Sequence, residues 1–171
     1  IVYGNFHELL EFRIGDVRDY ASVLDAVSRA DAVFHAAAMK QVPSCEYFPG
    51  QATMTNVLGA ENVVRAARHS GRPTLVMGIS TDKACKPVNV MGMTKALQER
   101  ILIQANLDNE DCRIVLARYG NVLESRGSVL PLFKHQIASG GPVPITMAEL
   151  TRCLMRLARA VHTTLLAPPT G

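Results

Sequence analysis

Residues 73–83 read Pro-Thr-Leu-Val-Met-Gly-Ile-Ser-Thr-Asp-Lys. An apolar run of this length, opened by a proline and closed by a hydroxyl, a carboxyl and an ammonium, has the form of a central strand. Such a strand delivers polar side chains at its carboxyl end. Upstream, apolar Val57, Leu58, Val63 and Val64 recur at helical spacing over 51–69, with polar Asn56, Glu61 and Arg65 between them, and Ser70-Gly71 stops the helix. Before it, 31–35 reads as a buried strand, 20–29 as a helix of about three turns, and 12–14 as a strand running into Gly15-Asp16. Downstream the pattern predicts a helix over 90–105, a strand over 113–117 and a helix over 130–138 ended by Gly140-Gly141-Pro142. A short strand over 143–146 and a last helix over 154–166 follow. Strand and helix in alternation predict a parallel sheet covered by helices, and in such sheets ligands gather beyond the carboxyl ends of the strands.

The 171 residues suit one domain with a substantial core, since 48% are hydrophobic and 19% charged. Eighteen basic against fifteen acidic side chains leave +3, too mild and too dispersed for a nucleic-acid interface. No stretch approaches the roughly 18 apolar residues of a membrane-spanning helix. Cys45, Cys85, Cys112 and Cys153 are far apart in sequence and form no C-x-x-C pair, so neither a zinc site nor a disulfide framework is expected. Reduced thiols predict a cytoplasmic setting.

The four expected strand ends each carry a polar group. Asp16 suits a hydrogen bond to adenine or ribose, or equally an Asx-turn with Asp19 as the helix cap. Ala36-Ala37-Ala38 allows close approach of a planar ligand or tight helix packing, and Lys40 beyond it is a phosphate partner or a solvated lysine. Ser80-Thr81-Asp82-Lys83 offers donors, acids and bases, or a capped surface turn. Lys95 follows Met91 by four residues and shares its helix face. Arg118, Asn121, Ser125, Arg126 and Ser128 suit a diphosphate and a sugar, or a polar loop. Their coincidence with the strand ends counts for more than any one of them.

These residues carry a resemblance. IGDVRD (14–19), HAAAMKQVPSCEYFP (35–49), TNVLGAENVV (55–64), ISTDKACKPVNVMGMTKALQERI (79–101), RYGNVLESRGSVLPLF (118–133) and LTRCLM (150–155) resemble, in order, the extended short-chain dehydrogenase/reductases. Within these the chain is similar to the UDP-N-acetylglucosamine 4,6-dehydratases of bacterial surface polysaccharide synthesis. The resemblance implies an α/β fold, a partial Rossmann-like doubly wound parallel sheet, with the start of a substrate-binding region over about 119–171. It implies NADP or NAD as cofactor, a UDP-N-acetylhexosamine as substrate and a homo-oligomeric complete enzyme.

By position, the resemblance makes Lys83 the C5 base, Asp82 the acid for water loss and Thr81 the partner of the C4 oxygen. Lys95 holds the nicotinamide ribose, Asp16 and Val17 meet the adenine, and Ala36 with Ala37 forms the wall along the cofactor. Lys40, Asn121, Arg126 and Ser128 fall on the nucleotide-sugar side. Two departures accompany it. The G-x-x-G-x-x-G fingerprint is absent, and the expectation is that the first β-α-β unit carrying it precedes Ile1. Met91 stands where most relatives have the Tyr of Y-x-x-x-K, and a thioether is only a weak acceptor. The rivals are a nucleotide-sugar 4-epimerase, which has no need of the Asp82–Lys83 pair, and a non-catalytic truncated relative that only binds a nucleotide sugar.

Overall fold

The computed structural model describes residues 9–108, 111–123, 125, 128–144, 149 and 151–167. Among the described residues, three parallel strands in the order β1 (Ala32–His35), β2 (Leu75–Thr81) and β3 (Arg113–Tyr119) form the main sheet, and 73–83 supplies its middle strand. Ala32 pairs with Leu75, and Leu75 with Arg113. Parallel neighbours require crossovers, and helices provide them. Between β1 and β2 run α2 (Val42–Tyr47), α3 (Pro49–Thr53), a π-helical turn (Met54–Leu58) and α4 (Gly59–Ser70); α5 (Val90–Leu107) joins β2 to β3. Ahead of the sheet, α1 (Tyr20–Val27) begins where the Asp19 carboxylate accepts from the Ala21 amide. Gly71 ends α4 in the left-handed region, at φ 59°.

Val33, Val76 and Ile114 lie side by side in the register, and Val23, Val27, Val63, Ala66 and Ala67 of α1 and α4 pack against them. Two residues further along β2, Gly78 lets α5 close on the sheet. A Cβ there would lie 2.5 Å from Leu102 Cδ1 and 2.8 Å from Leu116 Cδ2. The helix that carries Met91 and Lys95 is thereby pressed against the strand that carries Thr81. Past β3 come β4 (Asn121–Val122), α6 (Val129–Ala138), β5 (Leu154–Met155) and α7 (Leu157–Leu166). Tyr119 donates its hydroxyl to Ala160 O at 3.0 Å, tying α7 to the end of β3.

Several expectations need correction. Residues 12–14 form no strand: Ile14 is fully exposed, and Arg13 instead pairs with Glu11 and Asp25. Leu154 and Met155 do not begin a helix but pair in parallel with Asn121 and Val122. That ladder rests on Gly120, where a Cβ would come within 2.4 Å of Cys153 O. Residues 143 and 144 are not in a strand, and 145–148 lie outside the described residues. The helix expected over 51–69 is present but contains the π-helical turn, whose extra residue turns Asn56 inward to complete burial. Among the described residues no helix is long and apolar enough to cross a membrane.

Candidate active site

A cleft of about 470 Å³ opens beyond the carboxyl ends of the strands. Thr81 ends β2, and Asp82–Ala84 make a single 3₁₀ turn capped by Thr81, whose hydroxyl accepts from the Lys83 amide at 3.4 Å. Within the turn, Asp82 Oδ1 accepts from Thr81 Oγ1 at 3.0 Å and from Lys83 Nζ at 3.1 Å. Lys83 Nζ also donates to Asn121 Oδ1 at 3.4 Å, linking the ends of β2 and β3. Burial works to raise the Asp82 carboxyl, but the hydrogen bonds from Lys83 and Thr81 outweigh it and hold the group below its ordinary value.

Across the cleft, Lys95 is buried and donates to Ile79 O and Gln98 Oε1, both at 2.8 Å. Both acceptors are neutral, so burial dominates and pushes the ammonium down to about 8, with Glu99 partly opposing. Met91, one turn earlier, lines the same cleft and packs on Cys45 and Ala52. His35, at the end of β1, is 4% exposed; burial first and the Lys95 charge second push it down to about 4. It is therefore neutral at pH 7, and its Nε2 has no hydrogen-bond partner among the described residues.

The structure brings Thr81, Lys83, Met91, Lys95, Lys40, Asn121 and Ser128 to one cleft. Asp82 reaches it through its two hydrogen-bonded neighbours. Asp16, Val17 and Ala37 line a second cleft of about 530 Å³ alongside α1 and β1, and Ala36 lines both. Asp16 makes the local contacts of a turn: it accepts from the Arg18 amide at 2.9 Å and pairs with its guanidinium, which holds the carboxyl down at about 2. Arg126 lies outside the described residues.

Two groups escaped the sequence reading. Asn56 accepts from Met39 N at 2.8 Å and donates to Met39 O at 3.1 Å and Thr94 Oγ1 at 2.9 Å. It thus joins the loop after β1 to the helix of Lys95, although its spacing reads as a position between core residues. Arg118, expected on polar composition to suit a diphosphate, instead donates to the buried Glu99 carboxylate from Nε at 2.8 Å and Nη2 at 2.6 Å. Its one sequence signal was its place near the end of a strand.

Comparison with known proteins gives this arrangement a family. The sequence model described as polysaccharide biosynthesis protein matches residues 4–170. The chain belongs to that family. A UDP-glucose 4-epimerase of Rickettsia typhi is 51% identical over 163 residues, which are 94% of this chain and 48% of that protein. The chain thus spans about half the length of this relative. Among solved structures, Pen from Bacillus thuringiensis superposes with a TM-score of 0.89 at 36% identity, covering 96% of this chain and 52% of its own. DesIV, a dTDP-glucose 4,6-dehydratase from Streptomyces venezuelae solved with NAD bound, gives 0.83 at 20% identity, covering 95% and 56%. That last likeness shows the shared Rossmann-like fold.

Proposed function

We propose that this chain carries the active-site half of a nicotinamide-dependent nucleotide-sugar 4,6-dehydratase acting on a UDP-N-acetylhexosamine. The observation that carries the reading is the Thr81–Asp82–Lys83 turn, in which one carboxylate oxygen joins a hydroxyl and an ammonium at the mouth of the cleft. The residues present fit a nicotinamide cofactor: Lys95 spends two of its three N–H groups on Ile79 and Gln98 and lines the cleft, keeping one donor for a ribose hydroxyl. Small Ala36, which lines both clefts, leaves room for a ligand to pass between them. When bound, the cofactor supplies a hydride acceptor and donor.

The chain's own residues handle protons. At rest Asp82 and Lys83 form an ion pair at 3.1 Å, and one proton shift across that contact makes a neutral amine and a carboxylic acid. In a 4-keto sugar the C5 proton is acidic. Lys83 takes it, the C6–O bond breaks, and Asp82 gives its proton to the departing hydroxyl, which leaves as water. The ion pair is then restored, so the step balances without an outside base. Thr81 hydrogen-bonds the C4 oxygen, while Asn121 steadies Lys83.

A second reading is a nucleotide-sugar 4-epimerase, favoured by the name of the 51% identical relative. The two differ in mass balance. Full-length protein incubated with UDP-N-acetylglucosamine should yield a 4-keto sugar lighter by one water, detected by mass spectrometry. Lys83→Met and Asp82→Asn should abolish water loss while cofactor binding persists. Interconversion of C4 epimers without loss of mass, unaffected by these variants, refutes the dehydratase reading.

A further inference from the structure

The segment from Ser80 to Cys85 contains every proton-handling group invoked above, and a single ion pair grips both of its ends. At one end, Ser80 Oγ donates to Glu99 Oε1 at 2.6 Å. At the other, Arg118 Nη1 lies 3.0 Å from Cys85 Sγ. Between these ends stands the bidentate Glu99–Arg118 contact, at 2.8 and 2.6 Å. Glu99 is 5% exposed and Ser80 3%, so the carboxylate end of the junction is desolvated, while the Arg118 guanidinium and Cys85 close it from the solvent side. The sheet register explains how it forms: Ser80 and Arg118 are paired residues on β2 and β3, and α5 brings Glu99 over them one turn after Lys95.

We infer that Glu99 and Arg118 are a positioning pair that fixes the Asp82–Lys83 couple relative to Asn121 and to the helix of Met91 and Lys95. Neither residue lines the cleft. Their action is through the turn, and it rests on the dehydratase reading above. Three consequences are on the page. The carboxylate receives three donors from two strands, which leaves the Ser80 end little freedom to tilt. The guanidinium is planar and rigid, so one fixed fork meets Glu99 on one side and Cys85 on the other, and its hydrogen bonds couple the two ends of the segment. Finally, Asn121, three residues past Arg118, accepts from Lys83, so a shift of the strand ends would separate that contact too.

The test compares single and double replacements in the full-length protein, with amide hydrogen exchange beside kinetics. Arg118→Met alone leaves a buried carboxylate with Ser80 as its remaining partner and should lower Tm sharply. Glu99→Gln/Arg118→Met removes both charges while keeping an acceptor for Ser80, and should regain most of that Tm. In the double variant kcat should stay about 10–100-fold below wild type, as expected for a misplacement near 1 Å, with KM for the nucleotide sugar within about twofold. Arg118→Lys, which keeps charge but not the fork, should not rescue kcat. Exchange at the amides of Lys83 and Cys85 should quicken by about tenfold or more while α4 is unchanged. Recovery of kcat together with Tm, or unchanged exchange at 83–85, overturns the inference.

If wild-type protein fails to dehydrate any UDP-N-acetylhexosamine, the functional reading falls, and the exchange result alone decides for or against the clamp. Should the charge variants not fold, Cys85→Ala keeps both charges and frees one end. Several-fold faster exchange at 83–85 with unchanged Tm then supports the clamp, and no change overturns it.

Discussion

Gly92 is where fold and chemistry meet most tightly, and Gly92→Ala separates them. Gly92 is the third residue of α5, with its amide donating to the capping Asn89 side chain at 2.8 Å. A Cβ at this position would stand 2.4 Å from the carbonyl oxygen of Lys83 and 3.1 Å from Pro87 Cβ. A relaxed carbon–oxygen contact is about 3.3 Å or more, so the turn carrying Asp82 and Lys83 must retreat from α5 by roughly 1 Å. Overpacking of this kind costs about 1–3 kcal/mol, and the helix preference of Ala over Gly returns about 1 kcal/mol. The net loss is about 2 kcal/mol at most, or roughly 4–8 °C in Tm for a domain of this size. On the dehydratase reading turnover should suffer far more, by about 100-fold, because the displaced groups are the proposed acid and base. Thermal melts and steady-state kinetics on the full-length protein read the two effects. Gly50→Ala in α3, where a Cβ meets nothing within 4 Å, serves as the control and should be neutral or slightly stabilising. Wild-type turnover in Gly92→Ala would refute the close coupling of α5 to the turn.

Other outcomes follow from burial. His35 has a folded value near 4 against an ordinary 6.5, so the unfolded chain binds more protons between these values; stability is full above pH 6.5 and falls by about 3 kcal/mol as pH drops to 4. Urea titrations across that range should show the slope in wild type and lose it in His35→Phe. Lys95 has a folded value near 8 against 10.5, so stability should rise with pH across that window by about 3 kcal/mol, a slope that Lys95→Met removes. Asn56→Leu strands the Met39 amide, while the Met39 carbonyl and Thr94 hydroxyl each lose one bond but keep Cys45 Sγ and Met91 O; at about 1–3 kcal/mol for the stranded amide, Tm should drop by several degrees.

What the sequence disclosed, it disclosed through local pattern. The apolar run 74–79 and the polar cluster after it marked both the central strand and the candidate site, because a buried parallel strand shows as unbroken apolar residues. Helical spacing was enough to put Met91 and Lys95 on one face. The features that escaped are set by distant partners. Asn56 turns inward because a π-helical turn shifts the phase of the helix, which a period of 3.6 residues cannot anticipate. Leu154-Met155 is a strand only because Gly120 admits the Cys153 carbonyl. The Glu99–Arg118 contact exists because β2 and β3 pair with Ser80 opposite Arg118, a register no local window contains. Residues 12–14 resemble a strand in composition, yet among the described residues no strand pairs with them.

Lys83 and Lys95, two of the three lysines that line the cleft, are held in opposite ways, and the contrast bears on Met91. Lys95 is buried among neutral acceptors, the Ile79 carbonyl and the Gln98 amide, while Lys83 is about one-third exposed beside a carboxylate. A tyrosine at position 91 would give Lys95 a phenol whose acidity its charge could raise. Methionine offers no proton there, so on the dehydratase reading the charge of Lys95 has no acid–base partner at that position, and its hydrogen bonds serve to hold the helix on β2 and to face a ribose. Proton movement is then left to groups that share a single oxygen, Asp82 Oδ1, with Thr81 on one side and Lys83 on the other. A site that concentrates its proton traffic on one turn depends on that turn's placement more than a site that spreads it over two elements. This is why Glu99 and Arg118, which hold Ser80 and Cys85 from outside the cleft, should weigh on the rate although neither lines it.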